Sequence, residues 1–240
     1  MQHHLETAQP ELTRCHQKGV PHRARIRNHM RLFSGLSCLT LVLVLGPIGL
    51  TPLMAQGPQA WLIAGQDARE YELSRDVEVF RSGGASMRLR ARGNRHRDDW
   101  AVSVQMIDAT SYRDKRIRLS GYVRSEGVGS GGLWLRVDGI VDENAAMLVM
   151  DNLEGDRIKG TKEWTRQNIV VDIPPESVTI LIGAMITGDG DIWLDDLSFE
   201  EVSTTVELTA SSDPIVTNDP YSRPPGVFPV PTNLSFEHPA

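Results

Sequence analysis

Residues 132–138 read Gly132-Leu133-Trp134-Leu135-Arg136-Val137-Asp138. The alternation is strict: Leu133, Leu135 and Val137 point one way, and Trp134, Arg136 and Asp138 the other, as side chains do along an extended strand. A row of tryptophan, arginine and aspartate does not make a core face, so it faces solvent or lines a groove. The same period-two texture marks strands at Glu70–Leu73, Ser86–Ala91, Ala101–Ile107, Arg116–Arg124, Gly132–Val137, Ala146–Asp151, Thr165–Asp172, Thr179–Ile186 and Asp191–Val202. Turn chemistry separates them at Ser82-Gly83-Gly84, the glycine-rich run Gly127–Gly132, Asp138-Gly139 and Gly188-Asp189-Gly190,. Apolar residues never recur at three and four for more than one turn, so no helix is expected. Strands spaced about ten residues apart predict an all-β fold, a two-sheet antiparallel β-sandwich of jelly-roll type, over residues 56–202.

The flanks differ from this body. Residues 1–55 hold six basic residues and two acidic ones, which leaves 19 basic and 29 acidic residues after them, a net charge of −10. A body this acidic excludes a phosphate-backbone partner, and no nucleic acid is expected. Both cysteines, Cys15 and Cys38, lie in the leader, so the body has no disulfide framework, thiolate zinc site or cysteine nucleophile,. The leader reads as a signal peptide: Arg31 precedes an apolar run from Leu36 to Met54, broken by Pro47 and Pro52, and Ala55-Gln56 suits peptidase cleavage,. Residues 1–29 read as an over-extended start or a long n-region. An uncleaved anchor is the competing reading, and both put the body outside the cytoplasm, exported to the periplasm or beyond. After cleavage no membrane span is expected. Residues 203–231 are Ser/Thr- and Pro-rich and read as a linker. Residues 232–240 carry Asn233-Leu234-Ser235-Phe236-Glu237.

Several strings in order carry a resemblance. They are Tyr112-Arg113-Asp114-Lys115-Arg116-Ile117-Arg118-Leu119-Ser120-Gly121-Tyr122-Val123, Gly132–Gly139, Met150-Asp151-Asn152-Leu153, Arg157-Ile158-Lys159-Gly160-Thr161, Trp164, and Ile192-Trp193-Leu194-Asp195-Asp196-Leu197-Ser198-Phe199-Glu200. Over roughly Gly84–Val202 the chain resembles a family of exported bacterial jelly-roll modules that are galactose-binding-like and carbohydrate-binding-module-like. Such modules stand alone, beside tail-specific-type proteases, or in proteins labelled transcription regulators. The resemblance implies ligand binding rather than one activity. Modules of this type open with an Asn-Leu-x-Phe-Glu strand before the tryptophan equivalent to Trp61. Here that pattern stands at Asn233–Glu237, which either begins a truncated second module, the reading slightly favoured, or folds back to complete the first.

Trp134, Arg136 and Asp138 form the leading ligand row. An aromatic plane stacks on sugar C–H faces while arginine and aspartate bond hydroxyls. Asp151, Asn152, Arg157, Lys159 and Trp164 could border the same groove. The alternative is cross-strand packing by Trp134 beside a same-face Arg–Asp pair. Among calcium-stabilised jelly rolls the resemblance implies a structural Ca²⁺ held by Asp196 with Glu237; a solvated Asp-Asp strand edge is the alternative. His96 sits in a charged loop with no Gly-x-Ser-x-Gly turn, and nothing singles out a carboxylate pair, so no enzyme activity and no other cofactor are expected. The expected partner is a carbohydrate or other polar cell-envelope ligand taken by a monomer. The competing class is a structural or protein-interaction module, accessory to a protease or regulator.

Overall fold

A computed structural model describes residues 57–93, 95–209, the backbone of 215–220, and residues 226–239. The leader at 1–55 and much of the linker lie outside the described residues. Ten strands form: β1 (Leu62–Ala64), β2 (Tyr71–Asp76), β3 (Ser86–Ala91), β4 (Trp100–Asp108), β5 (Arg116–Val141), β6 (Asn144–Asp151), β7 (Ile158–Asp172), β8 (Ser177–Thr187), β9 (Asp191–Val202) and β10 (Ile215–Pro220). The only helical element among the described residues is a 3₁₀ turn at Ala68–Glu70. All the ladders are antiparallel.

The strands expected at Arg116–Arg124 and Gly132–Val137 are one strand of 26 residues, and the glycine run between them is not a hairpin turn. The physical reason is crowding. A Cβ at Gly129 would lie 2.7 Å from the Thr187 carbonyl oxygen, and one at Gly131 would lie 2.8 Å from that of Met185. Glycine therefore lets the backbone of β5 pass close to β8 without breaking the ladder. The turn expected at Asp138-Gly139 falls instead at Asp142-Glu143, both in the left-handed region (φ 49° and 68°), which is the two-residue hairpin geometry joining Val141 to Asn144,. Gly188 and Gly190, with φ of 71° and 92°, do form the expected turn between β8 and β9.

Because β5 is continuous, the strands join in one ten-stranded sheet ordered β1-β4-β8-β5-β9-β3-β2 rather than two separate ones. The first part of β5 lies between β9 and β7, and its second part between β8 and β6. The sheet curls into a nearly closed barrel whose end strands, β1 and β2, touch without a ladder. Inward side chains fill it: Met87 and Leu89, Ile117 and Leu119, Leu133 and Leu135, Ile169, Ile180 and Ile182 are fully buried. Each such side chain contributes roughly 1.5–3 kcal/mol of hydrophobic stabilisation.

Residues 226–239 lie against this barrel. Phe228 pairs with Ile107 on the free edge of β4, Thr232 exchanges two hydrogen bonds of 2.8 Å with the Gln105 side chain, and the Phe236 ring, fully buried, packs 5.2 Å from that of Trp61. Of Asn233–Glu237, Phe236 belongs to the core cluster of the barrel and Leu234 packs against it.

Asp76 secures the loop after β2. Its carboxylate accepts hydrogen bonds from Trp193 Nε1 (2.8 Å) and from the backbone N–H groups of Glu78 and Val79. Burial pushes this carboxyl up, but the Trp193 bond, the two backbone bonds and nearby Arg88 outweigh it and hold it below the usual carboxylate range,. A lowered folded pKa means that the stabilisation is present above the unfolded value and is lost as pH falls through the folded one. Asp76→Ala is expected to cost about 2 kcal/mol at neutral pH, since it strands a buried indole N–H. The wild-type advantage should shrink on acidification below about pH 4, which urea melts of both proteins from neutral to acid pH would measure.

Candidate functional site

A polar opening follows from how β5 changes neighbours. On one side β7 accompanies β5 as far as the Gly131–Ile158 pair, and β6 takes over from Leu135. Neither strand pairs its backbone with Leu133, whose N–H donates instead to the side-chain oxygen of Gln167 on β7 at 2.9 Å. Where β6 and β7 diverge, a crevice opens with two hollows. One, of about 510 Å³, is lined by Met150–Asp156, Asn168 and Thr209. The other, of about 350 Å³, is lined by Leu153, Asp156, Ile158 and Thr165–Asn168. Leu153, Asp156 and Asn168 are common to both, so the hollows share a wall.

The loop between β6 and β7 is preorganised. Buried Asp151 accepts the Leu153 N–H (2.8 Å) and the Thr209 hydroxyl (2.6 Å), and Leu153 takes a left-handed φ of 52°,. The Asp156 N–H returns to the Leu153 carbonyl, Arg157 Nε donates to the Asn152 carbonyl, and the Gln167 amide donates to the Asp156 carbonyl. With the loop pinned from both ends, Asn152, Glu154, Asp156, Arg166 and Asn168 line the opening. Carboxylates and amides in such a wall offer paired acceptors and donors, which suits a ligand rich in hydroxyls.

Of the residues singled out in sequence, Asp151 and Asn152 line this crevice. Lys159 is exposed near the start of β7, and Trp164 is half-buried further along it. Trp134, Arg136 and Asp138 do share the outer face of β5, as the alternation requires. Trp134, however, is only 8% exposed and packs with Val102 and Val104, flanked by Met106, Leu181 and Met185. It lies in register with Val104 across Gly183. The accessible part of the row is Arg136, whose Nε donates to Asp138 at 2.6 Å. Burial pushes the Asp138 carboxyl up, and Arg136 offsets this only in part. Arg136 pairs across the ladder with Met150, the first residue of the crevice wall, so the row runs toward the crevice.

Asp195, Asp196 and Glu237 converge on residues 81–84. Asp195 accepts the backbone N–H groups of Arg81, Ser82 and Asp196; Asp196 accepts from the Arg81 guanidinium and the Ser82 hydroxyl; Glu237 accepts the Gly84 N–H and faces Arg75 at 3.8 Å. Burial pushes the Asp195 carboxyl up despite its three N–H partners. Both carboxylates of the aspartate pair have donors on each oxygen, and Glu237 Oε2 faces only the Arg75 guanidinium at 3.8 Å; among the described residues no group of three or more His, Cys, Asp or Glu side chains could hold a metal. Asp196 is thus paired with the Arg81 guanidinium, while Glu237 lies beside that of Arg75.

Glu154, Asp156, Thr165–Asn168 and Thr209 escaped the sequence reading. A turn composition such as Asp151-Asn152-Leu153-Glu154-Gly155-Asp156 was the available signal, but turn-forming and ligand-facing residues share these types.

No family model matches the chain. It is 31% identical over 185 residues to an uncharacterised HTH-type transcriptional regulator of Bacillus subtilis (strain 168), YbfP; the match covers 77% of this chain. The chain spans 58% of that relative's length. Among solved structures it is similar to the family 22 carbohydrate-binding and xylanase modules of a Clostridium thermocellum xylanase in complex with xylohexaose (16% identity, 65% of this chain and 28% of that one, TM-score 0.45). It is also similar to the xylan-binding family 22 module of a Paenibacillus barcinonensis xylanase (15% identity, 63% and 92%, TM-score 0.41). A third is the enzymatically active domain of tailspike protein 4 of bacteriophage CBA120 (12% identity, 62% and 20%, TM-score 0.46). No helix among the described residues is long and apolar enough to cross a membrane.

Proposed function

We propose that this chain is an exported, non-catalytic binding module that takes a carbohydrate, or a comparably hydroxyl-rich ligand of the cell envelope, in the crevice between β6 and β7. One observation carries the reading: the divergence of these strands leaves a two-part opening of sugar-sized hollows, walled by a pinned loop and polar side chains,. The two halves of the barrel on either side of β5 are the two faces of a jelly roll in this reading, and the leader is its export signal. Arg136 and Asp138 extend the polar wall beyond Met150. The identity to a named regulator favours a regulatory setting for the same site, in which ligand occupancy is the signal passed on.

Asn152 and Asn168 test it. Asn168 is exposed and Asn152 half-buried, neither in the core cluster, so Asn152→Ala with Asn168→Ala should alter stability by about 0.5 kcal/mol or less,. Losing two ligand hydrogen bonds should weaken binding about tenfold or more. Calorimetric titration of wild type against a panel of cell-wall and plant-type glycans, repeated with the double variant, reads both numbers. A folded variant that keeps wild-type affinity for a glycan the wild type binds removes the crevice as the site. No binding across the panel would favour a protein partner, to be sought by pull-down.

A further inference from the structure

The segment Asn233–Glu237 is read by the barrel as a bound peptide is read. Its backbone is met at four points: Trp61 Nε1 donates to the Asn233 carbonyl, the Leu197 N–H to the Leu234 carbonyl, and the Arg75 guanidinium to the carbonyls of Phe236 (2.8 Å) and Glu237 (3.1 Å). Its side chains are met as well. Phe236 fills a closed apolar slot beside Trp61, and Glu237 accepts the Gly84 N–H at 2.9 Å. The Asn233 side chain clasps the turn around it, bonding the carbonyls of Gln59 and His238 and the His238 N–H. Main-chain bonds supply affinity here, and the Phe236 slot and Glu237 acceptor supply selectivity.

Nearly all these partners belong to residues 57–209, and none needs covalent connection to the segment. A segment held by non-local contacts is one that copies of the chain can exchange cheaply, because closed and exchanged forms make the same contacts.

We propose that the slot is a recognition site for an Asn-Leu-x-Phe-Glu peptide segment, filled in cis by Asn233–Glu237 and open to the same segment of a second copy of this chain. The partner is thus an extended peptide with an amide, an aromatic ring and a carboxylate at positions one, four and five. A monomer fills its own slot; two copies fill each other's as concentration rises.

Two experiments on the full chain test this. First, the Phe236→Ala protein, whose own segment no longer fits, is titrated with a synthetic peptide of residues 226–240. The melting midpoint should rise with peptide concentration by mass action, and the peptide carrying the same Phe-to-Ala change should give no rise. Second, Leu197→Cys and Leu234→Cys are combined in a Cys15→Ser, Cys38→Ser background and oxidised across a range of concentrations. The adjacent backbones (3.1 Å, N to O) make this pair reportable even if the first variant does not fold. Disulfide-linked dimers that grow with concentration support exchange. Exclusively intrachain disulfides at every concentration overturn it, as does a folded Phe236→Ala protein that ignores the wild-type peptide.

Discussion

Phe236→Ala is expected to destabilise the protein by about 3–5 kcal/mol, the largest single-residue effect anticipated outside the glycines. The ring is fully exposed to neighbours and not at all to water: it closes the bottom of the core against Trp61, and its backbone carbonyl is held by Arg75. Truncation removes the transfer free energy of the ring and leaves a void that the surrounding strands cannot fill, since Trp61 is itself fixed by its bond to Asn233,. For a barrel of this size the midpoint should fall by about 10–15 °C. Phe236→Leu should recover most of the loss, with a residual cost below about 1.5 kcal/mol. Thermal melts followed by circular dichroism give all three numbers. A fall of under about 3 °C for Phe236→Ala would mean that the segment does not belong to the folded core.

Gly183→Ala is the second. Gly183 is mid-strand in β8, paired with Val104 on one side and Trp134 on the other. A Cβ there would lie 1.9 Å from the Ser103 carbonyl oxygen. The obstacle is backbone of the neighbouring strand, so no rotamer change relieves it, and β4 or β8 must move bodily. A cost of about 3 kcal/mol is expected, together with a red-shifted Trp134 fluorescence as the cluster over Gly183 loosens. Gly155→Ala serves as the control, because a Cβ at Gly155 meets nothing within 4 Å. If Gly183→Ala and Gly155→Ala melt alike, the close approach of β4 and β8 is not as tight as described.

Much of the strand pattern was legible. Ser86–Ala91 and Asp191–Val202 were bounded to the residue because glycine and acidic turns flank a clean alternation. Reading Gly127–Gly132 as a turn failed because glycine serves two purposes: it allows unusual backbone angles, and it allows close backbone approach. Only the neighbours of Gly129 and Gly131 tell these apart. The hairpin at Asp142-Glu143 was hidden for the opposite reason, being a left-handed turn built without glycine. At the candidate site, alternation placed Trp134 on the outer face, but depth on that face is set by Val102, Val104 and Met185 on other strands. The crevice itself was invisible, since it is an interval between two strands flanking a third, and Asn168 and Thr209 reach it from distant parts of the chain.

The antiparallel bridge between Pro58 and Pro239, with the Gln59 N–H donating to the His238 carbonyl, brings the two ends of the described barrel side by side. Tension applied between residues 57 and 239 would therefore load these contacts one after another, as a zip is opened, rather than shearing many at once. Phe236 would be drawn out next, and the long strand β5 would bear load only after that. Pulled by its ends, the protein should yield at low force and in a fixed order, with the slot around Phe236 the first part of the core to open.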